Sequence, residues 1–282
     1  MIISHFPGGA GQKASANKVL NDNAWSTISK VADESQGANY WAVGDTKQIA
    51  INGKVGATTF SNLSVWVYII GFDHNSGREG AGRIHFLLGK TAQTGGKDIC
   101  LVDSKYASAN TGTYASGYFT MNYARTNAGG WANCTARTVL LGSSYNPSAP
   151  LSGSLLAALP ADLRVVMKPC TKYSDNTGGA SNTGSYVRAT TDYLWLLSEF
   201  EVFGARYHAN SAEASYQKQY AYYANGNSKL KYHHNATSTA SVWWLRSVHA
   251  TDATFFCCVN SSGTNDFDYA NTPRCMAPAF CA

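Results

Sequence analysis

The side chains of this chain that can do chemistry near neutral pH are few and scattered. They comprise 7 histidines, 7 cysteines, one close pair of glutamates and one Gly-Lys-Thr triplet. Gly89-Lys90-Thr91 has the ending of a phosphate-binding loop, but that motif needs a glycine five residues before Gly89, where Ile84 stands. Gly129-Gly130 and Gly178-Gly179 lack the strand-then-helix context of a dinucleotide fingerprint. No Gly-x-Ser-x-Gly elbow occurs. The histidines at 5, 74, 85, 208, 233, 234 and 249 form no His-Glu-x-x-His, and adjacent His233 and His234 face opposite sides of any strand. Asp73-His74 has no candidate nucleophile nearby and reads as a surface turn. Glu199 and Glu201 would share one strand face, like paired glycosidase acids, yet the apolar run before them marks a structural element. Cys100, Cys134, Cys170, Cys257, Cys258, Cys275 and Cys281 include no Cys-x-x-Cys, and the paired spacings of a zinc site are absent. They read as small buried thiols. The sequence therefore nominates no catalytic residue, no metal ligand and no cofactor.

The elements that must position these groups come next. A chain of 282 residues can bury a large core without staples. Charged residues make up only 14%, against roughly 25% in ordinary soluble domains. Tyrosine (17), glycine (26), Asn, Ser and Thr fill the gap, as in fibre proteins and paratopes, where Tyr offers contact area at low entropy cost. The net charge of +5 is mild. The tightest cationic cluster, Lys229 and Lys231 with His233 and His234, reads as solvated surface, which argues against a nucleic-acid partner. The longest apolar run, Val65 to Ile70, is too short for membrane insertion. Met1 to Pro7 shows no secretory leader. Residues 1–20, with Pro7-Gly8-Gly9-Ala10-Gly11, read as a leader or attachment segment, through which a tail-fibre partner could be held.

From Trp25 the periodicity of Ile28, Val31 and Ala32 predicts a short amphipathic helix. Lys47 to Ile51 alternates and meets an Asn52-Gly53 turn signal; Leu63 to Ile70 and Arg83 to Leu88 are strands. Ser104 to Tyr118 is a long loop. Ser152 to Pro160 predicts a helix stopped by proline, Leu163 to Met167 a strand, and Asp192 to Leu197 a buried strand running into Ser198 to Glu201. Tyr216, Tyr220 and Tyr223 lie at helical spacing and form a packing face rather than a base-stacking platform. The expected class is α+β: one compact unit over 21–282, with a β-rich part (21–120) integrated with a C-terminal core (121–282).

The closing segment differs from the rest. Ser241-Val-Trp243-Trp244-Leu245-Arg246-Ser247 predicts a core strand whose arginine needs carboxylate or backbone acceptors. Ala277 to Cys281 predicts another. Between them, Val248 to Arg274 shows no sustained helical or strand period, and a loop of that length inside a compact domain is usually functional.

Trp243-Trp244-Leu245-Arg246-Ser247, Phe256-Cys257, Gly263 and Ala277-Pro278-Ala279-Phe280-Cys281 resemble the closing signature of variable proteins of diversity-generating retroelements. That bacterial and phage family has the C-type lectin fold of the formylglycine-generating-enzyme type. Gly44-Asp45-Thr46-Lys47, Ile70-Gly71-Phe72-Asp73-His74, Asn127-Ala128-Gly129-Gly130-Trp131, Ala158 to Leu163 and Leu197 to Gly204 are similar too. The resemblance implies irregular loops on a small antiparallel sheet. It also implies a segment, about 248–274, rewritten by a reverse transcriptase that misreads template adenines and scatters AAC or AAT asparagine codons. Such codons cannot become Lys, Glu, Gln, Met or Trp, and none of these five occurs between Val248 and Cys275. Cysteine is reachable, so Cys258 need not be structural, while Phe256, Cys257 and Gly263 match fixed frame positions.

The variable, ligand-binding positions are then Val248, His249, Ala250, Thr251, Asp252, Thr254, Phe255, Cys258, Asn265, Asp266, Phe267, Asp268, Tyr269, Asn271, Thr272 and Arg274. Their mixture of aromatic anchors and adaptable polar groups has the composition of a paratope. The expected function is non-catalytic recognition of a protein or glycan on a host or neighbouring cell, displayed on a phage tail or bacterial surface. The alternatives are a structural tail-fibre component, or a metal-independent lectin without diversification. A calcium lectin lacks its Glu-Pro-Asn or Gln-Pro-Asp motif here, and an enzyme of the formylglycine-generating type lacks a reactive cysteine pair that maps onto this chain.

Overall fold

The computed structural model describes residues 15–107, 116–177 and 182–282, and their architecture is mixed α and β, with most of the order in antiparallel sheets. The predicted helix is present as α1 (Trp25–Asp33), which buries Trp25, Ile28, Val31 and Ala32 on one face. The first sheet has the order β1-β2-β3-β12, from β1 (Thr46–Val55), β2 (Thr58–Phe72), β3 (Ile84–Lys90) and β12 (Ala279–Cys281). The penultimate residue of the chain thus pairs with its first third, Cys281 lying opposite His85. The β-rich N-terminal part and the C-terminal segment share one sheet.

Three smaller sheets surround it. β4 (Ile99–Cys100) runs parallel to β7 (Lys231–His233), which pairs with β8 (Ala236–Ser241). β5 (Cys170–Asp175) and β6 (Val187–Asp192) form a ladder. β9 (Trp243–Val248), β10 (Phe255–Val259) and β11 (Asn265–Tyr269) form the third, in the order β11-β10-β9. Every residue of β9 is buried, and its indole N–H groups are spent inside: Trp243 donates to the Lys229 carbonyl at 3.0 Å and Trp244 to that of Phe119 at 3.2 Å. Among the described residues no helix is long and apolar enough to cross a membrane.

Several expectations are corrected. Asn52-Gly53 is not the hairpin turn. β1 continues through it with a register shift at Ile51/Gly53, and the chain reverses at Gly56, whose φ is +56°. Leu163 to Met167 is not a strand. Leu163 and Met167 are buried while Val165 is 70% exposed, a four-residue spacing, and Ala161–Arg164 is a helical turn behind Pro160. The ladder of β6 ends at Asp192, and Trp195 makes only an isolated bridge to Ala279. Glu199 and Glu201 lie not on a strand but in α2 (Glu199–Phe203), opened by a capping box in which Ser198 and Glu201 satisfy each other's backbone N–H. The tyrosines at 216, 220 and 223 are not on one continuous helix: Ser211–Ser215 is a 3₁₀ turn and Ala221–Ala224 a separate short helix. Tyr220 and Tyr223 are nonetheless buried packing groups.

Asp73-His74 is no surface turn either, since His74 is buried and stacks on Tyr220 at 3.7 Å. Lys231 is buried as well, donating to the Tyr68 hydroxyl at 3.1 Å, so the Lys229–His234 cluster is not a solvated patch. All seven cysteines are buried and unpaired. The end of the segment read as a leader packs on the fold: the Trp41 indole donates to the Asn17 carbonyl at 3.0 Å, and Leu20 is in the core. The expectations for residues 1–14, for 108–115 of the Ser104–Tyr118 loop, and for Gly178-Gly179 lie outside the described residues.

Candidate ligand-recognition face

The segment from Val248 to Arg274 is not one irregular loop. Its centre is a β-hairpin, β10 and β11, in the register Phe255↔Tyr269, Cys257↔Phe267 and Val259↔Asn265. The turn explains why alternation fails in the sequence. Asn260 Oδ1 accepts from the backbone N–H groups of Ser262 and Thr264 (2.9 and 3.1 Å), and Gly263 takes φ +83° against the backbone of Leu230. β10 is buried from Phe256 to Val259 on both faces, so it carries no polar alternation.

Side chains on a ladder alternate between its two sides. Phe255, Phe267 and Tyr269 fall on one side and meet there, with ring centroids 4.5–4.8 Å apart. His249 packs on Phe267 at 4.7 Å, and His208, arriving from after α2, stacks on His249 at 5.6 Å and meets the Phe267 edge at 4.8 Å. Asn265 Oδ1 lies 3.2 Å from His208 Nε2, and the exposed Arg125 guanidinium lies 3.2 Å over the Tyr269 ring. The result is a cluster of aromatic and imidazole rings with Phe267, 36% exposed, at its crest. Burial, then the neighbouring His208, holds His249 below the ordinary imidazole pKa. The rim carries Thr251, Asp252 and Thr254; the Thr254 hydroxyl donates to Asp252, and that bond holds the Asp252 carboxyl below its usual range.

The other side of the hairpin is frame. Asp268 accepts from the Arg274 guanidinium, from the Thr272 hydroxyl at 3.2 Å and from the Tyr269 N–H at 2.7 Å. Thr272 and Arg274 are buried. So are Val248, which belongs to β9, Ala250, whose N–H donates to the His208 carbonyl, and Cys258, which faces Trp244 and Asp266 across the sheet. These five predicted contact positions cannot meet a partner directly, and Cys258 is a packing thiol. Asp268 is nearly buried and committed to Arg274. Asn271 is half-buried beside them. The structure therefore gathers His249, Phe255, Asn265, Phe267 and Tyr269 into one face, with Thr251, Asp252 and Thr254 on its rim and Asp266 on the free edge.

Two groups that sequence reasoning missed complete this face. His208 and Arg125 come from distant parts of the chain, and no local pattern marks them. Asn127, in the stretch Asn127 to Trp131, is buried and donates to the carbonyls of Asp252 and Phe255 at 2.7 and 2.8 Å, tying down the start of the hairpin.

Beneath the sheet lies a dense ionic core. Arg246 is fully buried and pairs in a fork with Glu201, and it also donates to Ser174 Oγ and the Leu196 carbonyl, both at 3.0 Å. Lys172 bridges Glu79 (2.6 Å) and Glu201 (3.0 Å) and reaches the Tyr220 hydroxyl at 3.0 Å. Burial works against ionising Glu201, but Arg246 and then Lys172 hold it well below the usual carboxylate range. Burial dominates at Glu213 and pushes it up to about 7. The Glu199 carboxylate accepts from the N–H groups of Tyr207, His208 and Ala209 at 2.8–3.0 Å and fixes the loop that carries His208.

An α+β scaffold with a ring-lined face on its C-terminal hairpin is thus the class of molecule at hand. Residues 99–282 match a family model described as a domain of unknown function, DUF6273, and the chain belongs to that family. The match starts at β4, so β1 to β3 precede it. No curated protein and no solved structure matches the chain.

Proposed function

We propose that this chain is a non-catalytic recognition protein whose C-terminal hairpin presents the contact surface. The observation that carries this reading is the split within Val248 to Arg274. Phe255, Phe267, Tyr269 and His249 converge on one partly exposed face, while Val248, Ala250, Cys258, Thr272 and Arg274 are packed beneath or beside it. Aromatic rings anchored at a rigid base supply contact area at small entropic cost, and a polar rim supplies adaptable hydrogen bonds.

Together with the resemblance to retroelement-diversified variable proteins, the split supports a C-type lectin-like scaffold whose exposed positions change while its frame stays fixed. Display on a phage tail or a bacterial surface, facing a protein or glycan partner, completes the proposal. The test is the DNA around the gene and a set of sibling sequences. A near-copy of the 248–274 segment beside a reverse-transcriptase gene is expected, with siblings differing at His249, Thr251, Asp252, Thr254, Phe255, Asn265, Asp266, Phe267 and Tyr269. Siblings that keep these positions and vary Phe256, Cys258 and Arg274 instead would sink it. Binding of immobilised glycans that survives chelator and depends on Phe267, with no near-copy in the DNA, would favour the undiversified lectin.

A further inference from the structure

His85, Cys170 and Cys281 come from three separate parts of the chain and meet inside it. β3 supplies His85 and β12 supplies Cys281, at directly opposed positions of the ladder. Cys170 opens β5, two residues after Lys168, whose N–H donates to the Cys281 carbonyl at 3.0 Å. A ring nitrogen of His85 and the two sulfurs lie within 4.8 Å of one another, and all three residues are fully buried. Among the described residues His85 Nε2 has no hydrogen-bond partner. That is an expensive condition for a buried ring nitrogen.

We propose that these three side chains bind a soft d¹⁰ cation, Zn²⁺ or Cu⁺. Thiolate and imidazole are the donors both ions prefer, and ligand atoms a few ångströms apart close on such an ion with small side-chain shifts. Binding displaces the two thiol protons to solvent and uses the lone pair of His85 Nε2. The other ring nitrogen, Nδ1, lies 3.0 Å from the Tyr220 hydroxyl, the outer contact that orients a ligating imidazole. Tyr220 is itself held by Lys172 Nζ at 3.0 Å. Glu79 Oε2 accepts from the Cys170 thiol at 3.5 Å, but Lys172 holds it more closely, at 2.6 Å. Three donors suit trigonal Cu⁺, while Zn²⁺ would need a water as fourth ligand. The site shares no residue with the ring-lined face and does not rest on the proposed recognition role.

The test uses the full chain, purified under strong reductant and stripped of metal, titrated separately with Zn²⁺ and with Cu⁺ against a chromophoric competitor. One ion per chain is expected, with a rise in melting temperature and two sulfurs and one nitrogen in the X-ray absorption spectrum. Zn²⁺ alone raising the melting temperature identifies zinc; a sulfur-to-copper charge-transfer band with Cu⁺ identifies copper. Cys281→Ser and His85→Gln are expected to abolish the one-to-one binding, Cys134→Ser to leave it intact, and Tyr220→Phe to weaken it about 10–100-fold without changing the stoichiometry. Folded, reduced wild-type protein that binds neither ion, or binds both equally well without Cys281, overturns the site. So does intact-mass analysis of protein from reducing cytoplasm showing two hydrogens lost to a Cys170–Cys281 disulfide.

Discussion

Phe267 and Phe256 stand on neighbouring strands of one hairpin, and their environments assign them opposite work. Phe267 is the most exposed ring of the cluster, whereas Phe256 is fully buried opposite Val248. Phe267→Ala is expected to change stability by no more than about 1 kcal/mol, while Phe256→Ala costs about 3–5 kcal/mol through lost burial and an unfilled cavity. Urea denaturation of the two variants measures the difference, and equal losses would mean that the ring face belongs to the core. Arg246 gives a second residue-scale expectation. Removing it in Arg246→Met leaves Glu201 facing only Lys172, and breaking a fully buried pair costs about 3–5 kcal/mol. Replacing both, with Glu201→Leu added, is expected to recover part of that loss, because no charge is then stranded beside Arg246's site. A double mutant no more stable than the single would show that the ion pair contributes through geometry that apolar groups cannot reproduce.

At the scale of elements, the hairpin depends on what holds its two ends. Asn127 satisfies the carbonyls of Asp252 and Phe255, so Asn127→Ala leaves two partly buried acceptors open and costs about 1–3 kcal/mol. Hydrogen exchange is expected to speed up at 252–256 well before the rest of β10. The free edge of β11 is guarded in a different way. Alternation of the ladder turns the N–H groups of Phe267 and Tyr269 outward, and the carboxylates of Asp266 and Asp268 accept them at 2.9 and 2.7 Å. Asp266→Val therefore opens a strand edge beside an exposed aromatic ring, and concentration-dependent association in sedimentation is the expected outcome. The sequence made some of these elements legible and hid others. Trp243 to Leu245 and Val65 to Ile70 were readable because an unbroken run of large apolar residues bounded by polar ones favours a buried strand. The capping box at Ser198 was also present in the letters, but the apolar run before it masked the change from extended chain to helix. The hairpin was hidden for a physical reason: β10 is buried on both faces, and the polar positions of β11 are spent on edge protection and on Arg274. His208 and Arg125 reach the face through tertiary folding, which no local spacing encodes.

Across the whole molecule, the ionic core beneath the β9 sheet sets how stability follows pH. Glu213 is enclosed by the Asp175 N–H, the Ser247 hydroxyl and the Gln217 amide, and among the described residues it forms no salt bridge. Its folded pKa of about 7 lies above the 4.5 of an unperturbed glutamate. A raised carboxyl pKa means that the folded state holds the proton more tightly than the unfolded state. The stability this confers is complete below the unfolded value and is lost as pH rises through about 7. Glu201 has the opposite sign. Its depressed pKa contributes stability that is present at neutral pH and lost only in strong acid, so it is constant across the neutral range. Comparing wild type with Glu213→Gln between pH 5 and 8 isolates the first effect, because the amide does not titrate. The stability of the variant relative to wild type is expected to increase with pH by on the order of 2–3 kcal/mol across that interval. Urea midpoints at several pH values measure it. A difference that stays flat would show that Glu213 remains ionised in the folded protein, and that the core carries one more negative charge than Arg246 and Lys172 balance.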